Sequence, residues 1–236
     1  MTTVDVLAIA AHPDDIEITC GGLMIRMADL GYKTGILDLT KGEMGTKGTP
    51  ETRMAEAAAA GKIMGLSARE NAGLPDGRLA LNDESRAVVA TYIRKLRPTL
   101  CIIPPGDQRH PDHNATKDIA YAGIFAAGLK QFPIDGDPHR PDKILYATTF
   151  QKTEHTFFTD ITDQFERKLE AVAAYHSQFS EGAPRIYVPD QDLTEFMTFW
   201  ARTYGSRCGV KYAEAYWIKE SLRINDPLQD LHLNSI

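Results

Sequence analysis

Apolar residues along this chain come alternately in short unbroken runs and in helical stripes. Residues 4–11, "VDVLAIAA", form a run of the kind that makes a strand buried on both faces. In 21–32, "GGLMIRMADLGY", Leu23, Met24, Met27 and Leu30 recur at helical spacing and the pattern stops at Gly31. A second strand is predicted in "KTGILDLT" (33–40). A helix follows in "ETRMAEAAAAGKIMGL" (51–66), opened by Pro50 and an acidic residue and ended near Gly65. "DESRAVVATYIRKLR" (83–97) is a helix ended by Pro98, "TLCIIPP" (99–105) another buried strand, and 114–129 a further helix. Strands are expected in "KILYATT" (143–149) and "HTFFTDIT" (155–162), and helices over 163–179 and 192–206, while "YAEAYWIKE" (212–220) fits either form. The proline- and aspartate-rich stretch 131–143 reads as a surface excursion, since the alternation resumes after it. This β-α-β order predicts an α/β fold: an open, mostly parallel sheet with helices on both faces. One domain over 1–236 is expected.

Composition narrows the function. With 43% hydrophobic and 25% charged residues the chain can bury a core without a structural metal, so any metal is free to be functional. A net charge of −6 argues against a nucleic-acid partner. No stretch approaches the ~20 apolar residues that span a bilayer, and the N-terminal run lacks a basic leader, so neither membrane nor export is expected. Cys20, Cys101 and Cys208 are odd in number and widely spaced, which points to free thiols and a cytoplasmic location.

The chemistry lies in the loops that follow two buried strands. Open α/β sheets bind ligands beyond the C-terminal strand ends, where strand order reverses. A dinucleotide site would show G-x-G-x-x-G there. The first strand instead runs into His12-Pro13-Asp14-Asp15, whose carboxylates would repel phosphate and attract a cation. His12 and Asp15 can reach one ion, and the loop "RHPDH" supplies further candidates in Arg109, His110, Asp112 and His113. A His/Asp/His set drawn from both loops suits Zn²⁺, with Fe²⁺ or Co²⁺ also fitting, and leaves a position for water. Asp14 is then available to take a proton from that water, and His110, held as an imidazolium by Asp112, could polarise a carbonyl. Those are the parts for amide hydrolysis. In the competing reading the aspartates only cap a helix. Glu17 fits either a helix-dipole role or support of the ligand loop. Arg53, one turn into its helix where a cation opposes the dipole, suggests a grip on an anion or a sugar hydroxyl. His139, His155, His176 and His232 stand alone as surface or satisfied side chains.

"AHPDDIE" with "CGG", then "KGEMGTKGTPETRMAEAAAAGKIMG", "NAGLPDGRL" and "RHPDH", resemble the LmbE-like (PIG-L) metal-dependent de-N-acetylases over most of the first 120 residues. The tail "RTYGSRCGVKYAEAYW" is similar to the branch acting on N-acetylglucosaminyl-L-malate in bacillithiol biosynthesis. The resemblance implies a Rossmann-like fold and one Zn²⁺ held by His12, Asp15 and His113. It implies Asp14 as general base, His110 as oxyanion stabiliser or acid, and Asp112 orienting it. Sugar contacts map onto Arg53 and Asp76, and Arg109 is the candidate for the malate carboxylates. The chain departs from the family at Leu23, where many relatives have threonine, and at Gln108, where some carry a mobile tyrosine; Tyr204 is the candidate substitute for that phenol. The expected partners are a small-molecule GlcNAc conjugate and further copies of the chain. The alternatives are another GlcNAc compound, a GlcNAc-inositol or a chitooligosaccharide, and, in a different class, a non-catalytic nucleotide-binding α/β module.

Overall fold

A computed structural model describes residues 2–148, 150, 155–179, 192–226 and 228. In chain order its elements are β1 (Val6–Ala10), α1 (Asp15–Thr19), α2 (Gly21–Asp29), β2 (Thr34–Asp38), α3 (Pro50–Met64), β3 (Ala68–Asn71), α4 (Asp83–Leu96), β4 (Leu100–Ile103), α5 (Pro111–Ala127), β5 (Lys143–Ala147), β6 (Phe157–Asp160), α6 (Phe165–Ala173), α7 (His176–Phe179), α8 (Leu193–Cys208) and β7 (Ala213–Trp217). The strands form one sheet in the order β3-β2-β1-β4-β5-β7-β6. Strands β3 to β5 in that order are parallel, and β7 is antiparallel to both β5 and β6. The fold is therefore the expected α/β architecture. No described helix is long and apolar enough to cross a membrane.

β1 is buried throughout because helices cover both faces of the sheet. Leu7 and Ile9 pack with Val89 and Ile93 of α4 and Ile119 and Ile124 of α5. Val6, Ala8 and Ala10 point the other way, against Met24 of α2 and Ala57 and Met64 of α3. Strand order reverses at β1, which lies between β2 and β4. The two polar loops thus leave adjacent strands on the same sheet edge.

The elements differ from expectation in five places, the first being the helix expected over 163–179, which is broken into α6 and α7. β3 was not expected: its sequence Ala-Arg-Glu-Asn has no apolar run, and it pairs only with β2 at the sheet edge. The extra helix α1 fits between β1 and α2. α5 starts three residues early, with Pro111 in its first turn and His110 as N-cap accepting the Asp112 N–H on its ring. The ambiguous tail is strand β7, whose Ala213, Ala215 and Tyr216 are buried. Its Glu214 is buried too and accepts the N–H groups of Gly22 and Leu23, each at 2.8 Å, and Lys168 Nζ at 2.5 Å. This clamp fixes the start of α2 and explains the second glycine of "CGG": a Cβ on Gly22 would lie 2.8 to 2.9 Å from Ile161 and Glu214.

Candidate active site

The sheet edge holds a cavity of about 670 Å³ lined by residues of both loops. Asp14 sits at the N-cap of α1, yet its side chain caps nothing, and its backbone is left-handed (φ 109, ψ −26). The capping alternative therefore fails for Asp14. Asp15 turns back to accept the His12 N–H at 2.9 Å. That bend brings Asp15 Oδ2 to 3.4 Å from His12 Nδ1, and Asp15 Oδ1 lies 3.2 Å from His113 Nε2. One donor atom from each of His12, Asp15 and His113 lies within 4.8 Å of the others. A second grouping, His12, His110 and Asp112, meets the same criterion.

The first grouping fits a cation better, because the far side of each imidazole is already held. His12 Nε2 meets Asp76 Oδ1 at 3.0 Å, with Asp112 Oδ2 at 3.6 Å. His113 Nδ1 meets Gln108 Oε1 at 2.9 Å. Such outer partners fix the tautomer that leaves the inner nitrogen as a lone pair. In the second grouping the Asp112 carboxylate is engaged elsewhere, accepting the N–H groups of Gly77 at 2.7 Å and Leu79 at 3.3 Å.

Titration follows this packing. Burial opposes charge on His12, but its bonds to Asp15 and Asp76 push the imidazole up to about 11. Burial also works against an ionised Asp15, yet His113 and His12 hold it well below the ordinary carboxylate range. Burial drives Asp14 up to about 8, with Arg53 pulling against it and Asp15 and Glu17 adding to it. Both imidazoles thus face Asp15 through a shared proton, and a divalent ion held there would displace those protons.

Other expected residues take different places. Arg53, 6% exposed, donates from Nη2 to Pro13 O at 2.6 Å and to Asp14 Oδ2 at 2.8 Å. Its cation opposes the dipole of α3 because it crosses to the first loop. It lines the cavity, but its first partner is the catalytic candidate and not a sugar. Asp76, expected at the sugar, also lines the cavity but binds His12 and the Met44 N–H. Its partners hold its carboxyl down at about 2, against burial.

The imidazolium expected at His110 is corrected. Its Nδ1 accepts the Asp112 N–H at 3.2 Å, so that nitrogen carries no proton. Burial, with His12 and His113 beside it, lowers its pKa. His110 is a neutral ring oriented by the Asp112 amide, and the Asp112 carboxylate anchors the turn at Gly77 instead. Tyr204 is corrected as well: it is buried away from the cavity, where its hydroxyl accepts the Phe150 N–H at 3.3 Å and burial pushes the phenol up to about 12. Arg109 lines the cavity and forms no salt bridge among the described residues. His139 and His155 bond Pro98 O and Thr148; His232 lies outside the described residues.

Two supports, Arg69 and the Gln108 side chain, escaped the sequence, while Glu17 takes one of its two expected roles. Glu17, fully buried, accepts from Tyr175 Oη at 2.9 Å and from Arg69, and Arg69 in turn grips Asp38 at 2.8 and 3.1 Å. Glu17 therefore supports the ligand loop. Arg69 lies on the unforeseen β3, so no pattern marked it. Gln108 stood out only as a departure from relatives.

The family model for PIG-L, GlcNAc-PI de-N-acetylase, matches residues 7–124. The diacetylchitobiose deacetylase of Thermococcus kodakarensis is 31% identical, over 89% of this chain and 80% of its own. A 1D-myo-inositol 2-acetamido-2-deoxy-alpha-D-glucopyranoside deacetylase of Rhodococcus jostii is 29% identical over 61% of each chain. The crystal structure of a conserved protein of Thermus thermophilus superposes with a TM-score of 0.87 at 38% identity, over 94% of this chain and 98% of that one.

Proposed function

The chain belongs to the PIG-L family of metal-dependent de-N-acetylases, and from that premise we propose that it hydrolyses the acetamide of an N-acetylglucosamine conjugate to acetate and a free amine. In this reading His12, Asp15 and His113 hold Zn²⁺, a nitrogen–oxygen set that Fe²⁺ or Co²⁺ also fills. The ion, when bound, polarises the amide carbonyl and acidifies water. Asp14 accepts the proton of the attacking water and returns it to the amine as the C–N bond breaks. His110 donates from Nε2 to the carbonyl oxygen as charge develops there. Arg53 holds Asp14 in place, and Asp76 and Asp112 position His12 and the turn beside it. The observation that carries the reading is Asp14: a cavity-lining carboxylate beside three cation donors, outside their set, capping nothing. A nucleotide-binding module has no support in the loop after β1 or in the family.

The aglycone in this reading is L-malate, as in bacillithiol biosynthesis, in the cytoplasm, with residues 1–236 acting as one domain. Lys47 and Arg109 both stand on the cavity wall, and a guanidinium suits a bidentate grip on carboxylate. A second reading rests on the named relatives and takes chitobiose or GlcNAc-inositol. Acetate release from all three substrates separates them. The malate conjugate is expected to give the highest kcat/KM. Arg109→Met should raise its KM by the equivalent of about 1.5–3 kcal/mol, the scale of a charged hydrogen bond, and leave a neutral GlcNAc glycoside nearly unchanged. Preference for a neutral conjugate, or equal losses on all three, would remove malate.

A further inference from the structure

The loop between β4 and α5 is built to deliver one side chain to a histidine. Gly106 (φ 79) and Asp107 (φ 53) both take left-handed backbone, which reverses the chain after the strand. Glycine suits position 106 through its positive φ, and a Cβ there would have to displace the flexible Lys117 side chain, 2.8 Å away. Asn114 then clamps Gln108 at both backbone groups, accepting its N–H at 2.6 Å and donating to its carbonyl at 2.7 Å. With its backbone fixed, Gln108 reaches into the cavity and places Oε1 2.9 Å from His113 Nδ1. The oxygen end of the amide faces the ring, so Nδ1 donates to it, and Nε2, 3.2 Å from Asp15 Oδ1, is the nitrogen left for a cation that displaces its proton.

We propose that Gln108 is a positioning residue that selects the metal-binding tautomer of His113 and holds its ring toward the cation site. The inference rests on the reading of His12, Asp15 and His113 as the cation's ligands, and goes beyond it. His12 is oriented by a carboxylate, Asp76, whereas His113 is oriented by a neutral amide. A carboxylate partner makes an imidazole a stronger donor, while an amide fixes its direction without adding negative charge. The two histidines thus bind with unequal donor strength, and the His113 side is the one a single substitution can strengthen.

The test is Zn²⁺ affinity, measured by competition against a chelating dye at fixed pH, on the whole chain stripped of metal and reloaded. Gln108→Leu removes the acceptor at similar volume and should weaken Zn²⁺ binding 10- to 100-fold, the scale for lost outer partners. The thermal midpoint of the metal-free protein should not move. Gln108→Glu keeps an acceptor at the same reach and should bind at least as tightly as the wild type. If the leucine variant fails to fold, Gln108→Asn, which withdraws the oxygen by one methylene, is read by the same criterion. A loss under tenfold overturns the proposal, and so does a larger loss that glutamate fails to restore. His113→Ala separates the two layers. Loss of zinc there alongside wild-type affinity in Gln108→Leu rejects only the role of Gln108, whereas zinc retained in His113→Ala rejects the ligand set.

Discussion

Asp14 holds a backbone conformation that costs a residue other than glycine about 1–3 kcal/mol, a strain that persists only when its surroundings impose it. Three of the four described non-glycine residues with positive φ, Asp14, Asp107 and Phe150, line the cavity. Strain is thus concentrated where the geometry matters. Asparagine tolerates positive φ as aspartate does, so Asp14→Asn should keep the fold and the bound ion and lose ~10²-fold or more in turnover, the scale of a general acid–base group. Metal analysis and kinetics on one preparation would check this. His110→Ala should lower kcat more than it raises KM, since the charge it meets exists only in the transition state; steady-state kinetics showing a change in KM alone would make it a binding residue. The HPDD and RHPDH motifs were legible at this scale because histidines and aspartates gather densely behind apolar strands. The partners were not. Nothing local in sequence tells that Arg53, 39 residues on, pairs with Asp14, or that the carboxylate of Asp112 turns from His110 to the amides of Gly77 and Leu79.

Among the elements, β3 is the one that periodicity missed and the site needs. Arg69 on that strand lies between Asp38 of β2 and Glu17 of α1, both fully buried, and so ties the first helix to the sheet. Arg69→Met would leave two buried carboxylates without their cation, a change that costs about 3–5 kcal/mol. The penalty should depend on pH. Burial already raises the Asp38 carboxyl against the pull of Arg69, and removing that pull raises it further. A carboxyl whose folded pKa exceeds its unfolded value of about 4 loses stability as pH rises from the unfolded toward the folded value. Urea unfolding should therefore show the variant more severely destabilised at neutral pH than near pH 5. A penalty independent of pH would mean that Arg69 acts through packing alone. The helix α3 was readable to within two residues because Pro50 and Gly65 mark its start and stop, with Thr49 as its cap. β3 carries no such marks, and β7 depends on partners distant in sequence.

In the whole molecule, β1 and β4 lie side by side where the strand order reverses, so two loops about a hundred residues apart close on one cavity. The alternation of strands and helices made that architecture legible, and the loop chemistry made the reaction class legible. Substrate contacts were least legible: Asp76 and Tyr204 were placed by resemblance, Arg53 also by its place on the helix, and each holds another protein group first. Because an ion bound only by the folded chain stabilises it by mass action, one preparation can report both binding and catalysis. The most direct measurement is acetate release from the fastest of the three GlcNAc conjugates by protein that has been stripped with a chelator and then titrated with Zn²⁺. Acetate and free amine should appear in equal amounts, vanish on stripping, and return in full at one equivalent of zinc per chain. Turnover that survives complete removal of metal, or a chain saturated with zinc that releases no acetate from any GlcNAc conjugate, would contradict it.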